Sequence, residues 1–170
     1  MYFPKTVNRA LITWFGCGRV PFAPGTMGSL GALPLCWLLA ATNTEPLFRV
    51  LFAAGFTAIA CLAAAQDQAT GGQRDPNYIV IDEVVGMLWS TILVSAHWIP
   101  MLIAFVFFRI FDIVKPHPAI FFDRWSKTSL SIVRRGAHIV LDDVIAGIYA
   151  LLVTHLILIY FFPEIPRFSF

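Results

Sequence analysis

The chain has 170 residues, 58% of them hydrophobic and only 13% charged, with a formal net charge of +2. Soluble domains carry roughly 45–50% apolar and about 25% charged residues, so an ordinary water-soluble enzyme is excluded and no nucleic-acid partner is expected. The apolar residues come in blocks, which predicts an all-α, polytopic membrane bundle forming one integral-membrane domain over residues 1–170.

The first predicted element is Val7–Phe15, where Val7, Leu11, Trp14 and Phe15 fall at i, i+4, i+7 and i+8 with Arg9 off the stripe. That pattern suits a short interfacial helix, or equally a helix packed on the rest of the protein. Met1–Trp14 lacks the apolar core and cleavage site of a secretory signal. Next comes PFAPGTMGSL at Pro21–Leu30. Pro24–Gly25 is a turn signal, Gly28 allows close backbone approach, and Thr26 or Ser29 can cap the helix that follows. A glycine-bearing loop at a helix N-terminus suits an anion, although an ordinary capped helix start also explains it.

Five apolar segments follow: Ser29–Ala41 (interrupted by Pro34), Leu47–Ala65, Val84–Ala96, Met101–Val114 and Val144–Phe162. A span needs about 20 residues, and three of these are shorter, so four to five membrane segments are expected, one hairpin being a candidate re-entrant loop. With five spans, Lys5, Arg9, Arg19, Arg74, Arg109, Lys115, Arg124, Lys127, Arg134 and Arg135 gather on one side, against Arg49 and Arg167 on the other. By the positive-inside rule that basic side is cytoplasmic. Cys17, Cys36 and Cys61 show no metal-ligand spacing, and no disulfide framework is expected.

Two stretches nearly repeat one another: IVIDEVVGML at Ile79–Leu88 and IVLDDVIAGI at Ile139–Ile148. Each sets two adjacent acids, Asp82–Glu83 and Asp142–Asp143, at the mouth of an apolar run. Charges at the edge of a membrane segment are costly and usually mark function. Neighbours on a helix point about 100° apart, so one acid of each pair can face a site while the other supports it. Gly86 and Gly147 keep that face slim. Hard carboxylate oxygens without Cys or His suit Mg²⁺; helix-start acids alone are the plainer alternative. Between the pairs, RIFDIVKP at Arg109–Pro116 places Arg109, Asp112 and Lys115 at steps of three on one helix face. Two cations flanking an acid fit a phosphate, or a structural Arg–Asp pair with a snorkelling lysine.

Together FGCGRVPFAPGTMGS, Asp67, RDPNYIVIDEVVGM, FRIFDIVKPHP, FFDR and IVLDDVIAG resemble the phosphatidylglycerophosphatase A family of bacterial membrane phosphatases, from about Leu11 to Thr154. The resemblance implies Mg²⁺-dependent removal of the terminal phosphate of phosphatidylglycerophosphate, at a site on the cytoplasmic face of the bacterial inner membrane. The chain departs from the family in a longer link over 125–135 (WSKTSLSIVRR) and in His138, where a glycine is common. On this reading Asp67, Asp82, Glu83, Asp142 and Asp143 hold metal, and Asp82, Glu83, Asp112, Asp142 and Asp143 serve catalysis. Gly25, Thr26, Gly28, Ser29, Arg109 and Lys115 hold the phosphate of an anionic phospholipid. The rivals are a lipid phosphotransferase, whose DGxxAR…GxxxDxxxD pattern is absent, and a small proton- or cation-coupled carrier. The oligomeric state is not legible.

Overall fold

The computed structural model describes residues 2–42, 45–70, 77–115 and 132–165. The side chains of 132–135 and 138 are not among the described ones, so Arg74, His117, Asp123, Arg124, Lys127 and the His138 substitution lie outside them. The described residues form six α-helices and no strand: α1 Lys5–Ile12, α2 Pro24–Ala41, α3 Pro46–Ala69, α4 Ile81–Thr91, α5 Trp98–Val114 and α6 Ile132–Phe161. Among the described residues three stretches are long and apolar enough to cross a membrane: Pro24–Ala41, Pro46–Ala69 and Ile139–Phe161.

Several expected boundaries move, each for a local reason. The first helix stops at Ile12, short of Phe15, because Trp14 and Phe15 take left-handed backbone at φ 44° and 54°. Its buried residues are Asn8 and Ile12 rather than the Val7 stripe. The next helix begins at Pro24, ahead of the expected Ser29. Proline is well tolerated in the first helical turn, where its missing N–H has no partner to lose, and Ala23 at φ 46° turns the chain into it. Thr26 and Ser29 therefore lie inside α2 and cap nothing, the Ser29 hydroxyl donating back to the Gly25 carbonyl at 2.9 Å. Pro34 does not end the helix. The last residues of the 125–135 link are already the first turn of α6.

At 11 residues, α4 is about 16 Å long, too short for a hydrocarbon core of roughly 30 Å. It instead forms the centre, packed by α2, α3, α5 and α6, with Val84, Val85, Met87 and Leu88 buried. Lipid is as apolar as these side chains, so association rests on close packing more than on escape from water. Glycine supplies that closeness. A methyl group on Gly147 of α6 would strike the Gly86 carbonyl of α4, and one on Gly86 would strike the Phe108 ring. Gly136 sits equally close to the Ala65 backbone of α3.

The helices alternate in direction so that one end of the bundle collects the starts of α2 and α4, the ends of α3 and α5, and the acids of α6. At the opposite end Arg49 is buried and donates to the carbonyls of Ala40 (3.4 Å) and Val94 (3.5 Å). It ties the end of α2 to the turn after α4 there.

Candidate active site

Five elements converge on the acidic end. On α4, Asp82 and Glu83 stand in the first turn, where the helix dipole favours negative charge, and both are partly buried. On α6, Asp143 is buried one residue beyond Asp142. One carboxylate oxygen from each of Asp82, Glu83 and Asp143 lies within 4.8 Å of the others. The glycine crossing explains the approach: Gly86 follows Glu83 by one helical turn, and Gly147 follows Asp143 by another.

This trio is electrostatically unfinished. Asp82 Oδ1 and Glu83 Oε2 are buried and accept no hydrogen bond among the described residues. Both acids precede the apolar run of α4. Burial pushes the Glu83 carboxyl up to about 7; the hydrogen bond with Asp82 and the Arg109 charge oppose this, while the Asp143 and Asp112 charges add to it. Asp82 is raised well above the usual carboxylate range, by burial first and then by the Glu83 charge. A divalent cation among such oxygens reverses that logic by favouring the ionised forms. Three hard oxygen donors with two orphaned buried atoms are a set that Mg²⁺ fits.

The cations stand around the trio. Arg109, near the end of α5, pairs with Asp112 at 2.7 Å, one turn along the same helix, and reaches Glu83 at 4.0 Å. It also donates to the Ser29 hydroxyl at 3.3 Å, which links α5 to α2. Gly25 makes room for this corner, since any side chain there would overlap the Glu83 carboxylate and crowd Arg109. Gly28 packs on Val80 instead, a contact that brings α2 against the start of α4. Lys115 closes α5 in left-handed backbone at φ 46°, and its ammonium pairs with Asp142 at 2.5 Å.

The residues singled out by sequence are thus sorted. Asp82, Glu83 and Asp143 come together, with Arg109, Asp112, Ser29 and Gly25 beside them. Asp142 lies outside the trio and holds Lys115. Asp67 also lies outside it, accepting a hydrogen bond from the Tyr78 hydroxyl at 2.9 Å. Thr26 is half-buried in the first turn of α2. Tyr78 was not singled out. Its place four residues before Asp82 was the available signal.

The family model for "Phosphatidylglycerophosphatase A" matches residues 10–158. This chain belongs to the phosphatidylglycerophosphatase A family. The phosphatidylglycerophosphatase A of Haemophilus influenzae is 35% identical over 144 residues, covering 84% of this chain and 83% of its own. That of Escherichia coli is 36% identical over 142 residues, covering 81% and 76%. A Bacteroides thetaiotaomicron protein named "Putative phosphatidylinositol-3-phosphatase" is 36% identical over 149 residues, covering 81% and 85%. No solved structure matches. Within the phosphatidylglycerophosphatase A family the matched span takes in every residue of the cluster just described.

Proposed function

We infer that this chain is a membrane phosphatase that hydrolyses the terminal phosphomonoester of phosphatidylglycerophosphate, leaving phosphatidylglycerol and phosphate. The observation that carries the reading is the three-carboxylate cluster faced by Arg109, inside a chain of the phosphatidylglycerophosphatase A family.

Asp82, Glu83 and Asp143 would hold Mg²⁺, which when bound draws phosphate oxygens and makes water a better nucleophile near neutral pH. The protein's own groups complete the site. Arg109, fixed by Asp112 and Ser29, presents a planar donor face to phosphate oxygens and stabilises charge on the group being transferred. Its Nε is buried and donates to no described residue. The first turn of α2 begins with Pro24 and Gly25, so the N–H groups of Gly25 and Thr26 have no helical partner and point out of the helix start, where phosphate is favoured. Lys115 adds positive charge at the rim, and Asp142 keeps it in place. A carboxylate left outside the metal, or Asp112 directly or through a water, would take up the proton from the attacking water.

Four lipid-facing helices around a short central one is the arrangement we favour. On α5, Leu102, Val106, Ile110 and Ile113 are exposed along one face, as a helix in contact with acyl chains requires. The gathering of basic residues at the acidic end supports a cytoplasmic placement of that end in the bacterial inner membrane. Acids gathered at one end, and not spaced through mid-depth, weigh against the carrier reading.

The test is release of inorganic phosphate from phosphatidylglycerophosphate in mixed micelles by the purified protein, with Mg²⁺ and with chelator. Metal-dependent release is expected; no release in either condition from folded protein defeats the assignment. Phosphatidylinositol 3-phosphate belongs in the same assay because of the Bacteroides relative's name, and faster turnover of that lipid would reassign the substrate.

A further inference from the structure

Beside the trio lies an open cavity of about 610 Å³, lined among others by Arg19, Pro21, Pro24, Asn77 and Tyr78. Two of its walls are continuous with the site. Pro24 adjoins Gly25, which abuts Glu83, and consecutive Cα atoms are about 3.8 Å apart. Tyr78 begins the segment that enters α4 at Asp82, and its hydroxyl is held on Asp67. The cavity therefore lies within a few residues' reach of the trio.

Arg19 is the cation of that lining, and no described carboxylate pairs with it. Its side chain is exposed, yet its backbone is pinned. The Cys17–Arg19 turn follows Gly16 at φ 101°, and the Arg19 N–H donates to the Gly16 carbonyl at 3.0 Å. Gly18 packs so tightly on the Tyr78 carbonyl that no side chain fits between them. Phe15 and Phe22, on either side of this turn, are 77% and 82% exposed, an apolar surface suited to contact with lipid.

Resting on the phosphatase reading above, we propose that Arg19 binds the phosphodiester of the lipid substrate while the trio and Arg109 take its terminal phosphomonoester. The substrate carries two anionic phosphates joined by a glycerol. The trio and Arg109, itself tied to Asp112 and Ser29, are committed to the first. An uncommitted guanidinium one cavity away supplies the missing counter-charge, with the bidentate geometry that suits a phosphodiester. Arg19 is thus the residue that distinguishes a head bearing a diester from a simple phosphomonoester lipid.

The experiment compares kcat/KM for phosphatidylglycerophosphate and for phosphatidic acid, whose only phosphate is a monoester, in the same mixed micelles. It adds inhibition by phosphatidylglycerol, which keeps the diester and lacks the monoester. Arg19→Gln should lower the preference for the diester-bearing substrate by about tenfold or more, the scale of a lost charged hydrogen bond. It should raise the inhibition constant of phosphatidylglycerol similarly and act mainly on KM. Arg19→Lys should recover part of both. An unchanged ratio with unchanged inhibition overturns the proposal, as does equal loss on both substrates or a wild type that shows no preference. Should phosphatidic acid be too slow to measure, the phosphatidylglycerol inhibition decides alone. A wild type inactive on both lipids removes the phosphatase reading itself, a result distinct from failure of the Arg19 assignment.

Discussion

The two acid pairs are nearly the same in sequence and differ in what they do. On α4, Asp82 and Glu83 both reach the three-carboxylate cluster. On α6 only Asp143 does, while Asp142 turns to the ammonium of Lys115. The difference comes from the neighbours. On α4 the Glu83 carboxylate fills the space that Gly25 of α2 leaves, whereas Asp142 meets the end of α5, where the left-handed turn at Lys115 delivers a cation. A repeat written into the chain twice thus supplies two members of the cluster from one copy, and from the other one member and a partner for Lys115. Sequence duplication says that acids are needed at both places; the packing around each copy decides their roles.

The sharpest way to break this contrast is to neutralise the inner acids. Glu83→Gln and Asp143→Asn should each lower kcat on the order of a thousandfold, the scale of losing direct transition-state charge stabilisation, measured as phosphate release from phosphatidylglycerophosphate. Full activity in either variant would make the cluster structural. Asp142→Asn should cost less, about 10- to 100-fold, as expected for a group that orients another one. Combined with Lys115→Met it should cost little more than either change alone, because the two side chains act as one unit. If Asp142→Asn matched Asp143→Asn, the proposed division between the pairs would be gone.

Gly147→Ala tests the contact that brings the pairs together. The added methyl meets main chain at Gly86, so α4 and α6 must separate, and overpacking of this kind costs about 1–3 kcal/mol. A lowered Tm in detergent with a matching fall in kcat is the expected result. Asp67→Asn should have the smallest effect, within about threefold in kcat, since an amide oxygen still accepts from Tyr78 at a cost of roughly 0.5–1.5 kcal/mol. A loss as deep as that of Glu83→Gln would bring Asp67 into the inner cluster.

Much of the site was legible because acids beside apolar runs are rare and conspicuous. Asp82, Glu83 and Asp143 announce themselves in that way, and the three-residue step from Arg109 to Asp112 fixes their shared helix face without any tertiary information. The partner of Asp142 was not legible, because it depends on where α5 ends and how its last residue turns. The start of α2 was misplaced for a different reason. Pro24–Gly25 reads as a turn, yet proline is equally at home in the first helical turn, and only the chain direction set by Ala23 resolves the two. The all-helical character followed from composition. The central position of α4 did not, since an 11-residue helix among longer ones shows no pattern that marks it as innermost.

The crossing at Gly86 and Gly147 has a mechanical consequence. The distance between the two acid-bearing helices is set by main chain resting on main chain, not by side chains that can change rotamer. Bilayers differ in thickness, and lipid-facing helices answer by tilting. Because α4 rests on α6 at this crossing, a tilt of the lipid-facing α6 carries α4 with it. The spacing of Glu83 and Asp143 is thereby held by a backbone contact as the bilayer around the bundle changes thickness, which suits a protein whose own product alters the membrane.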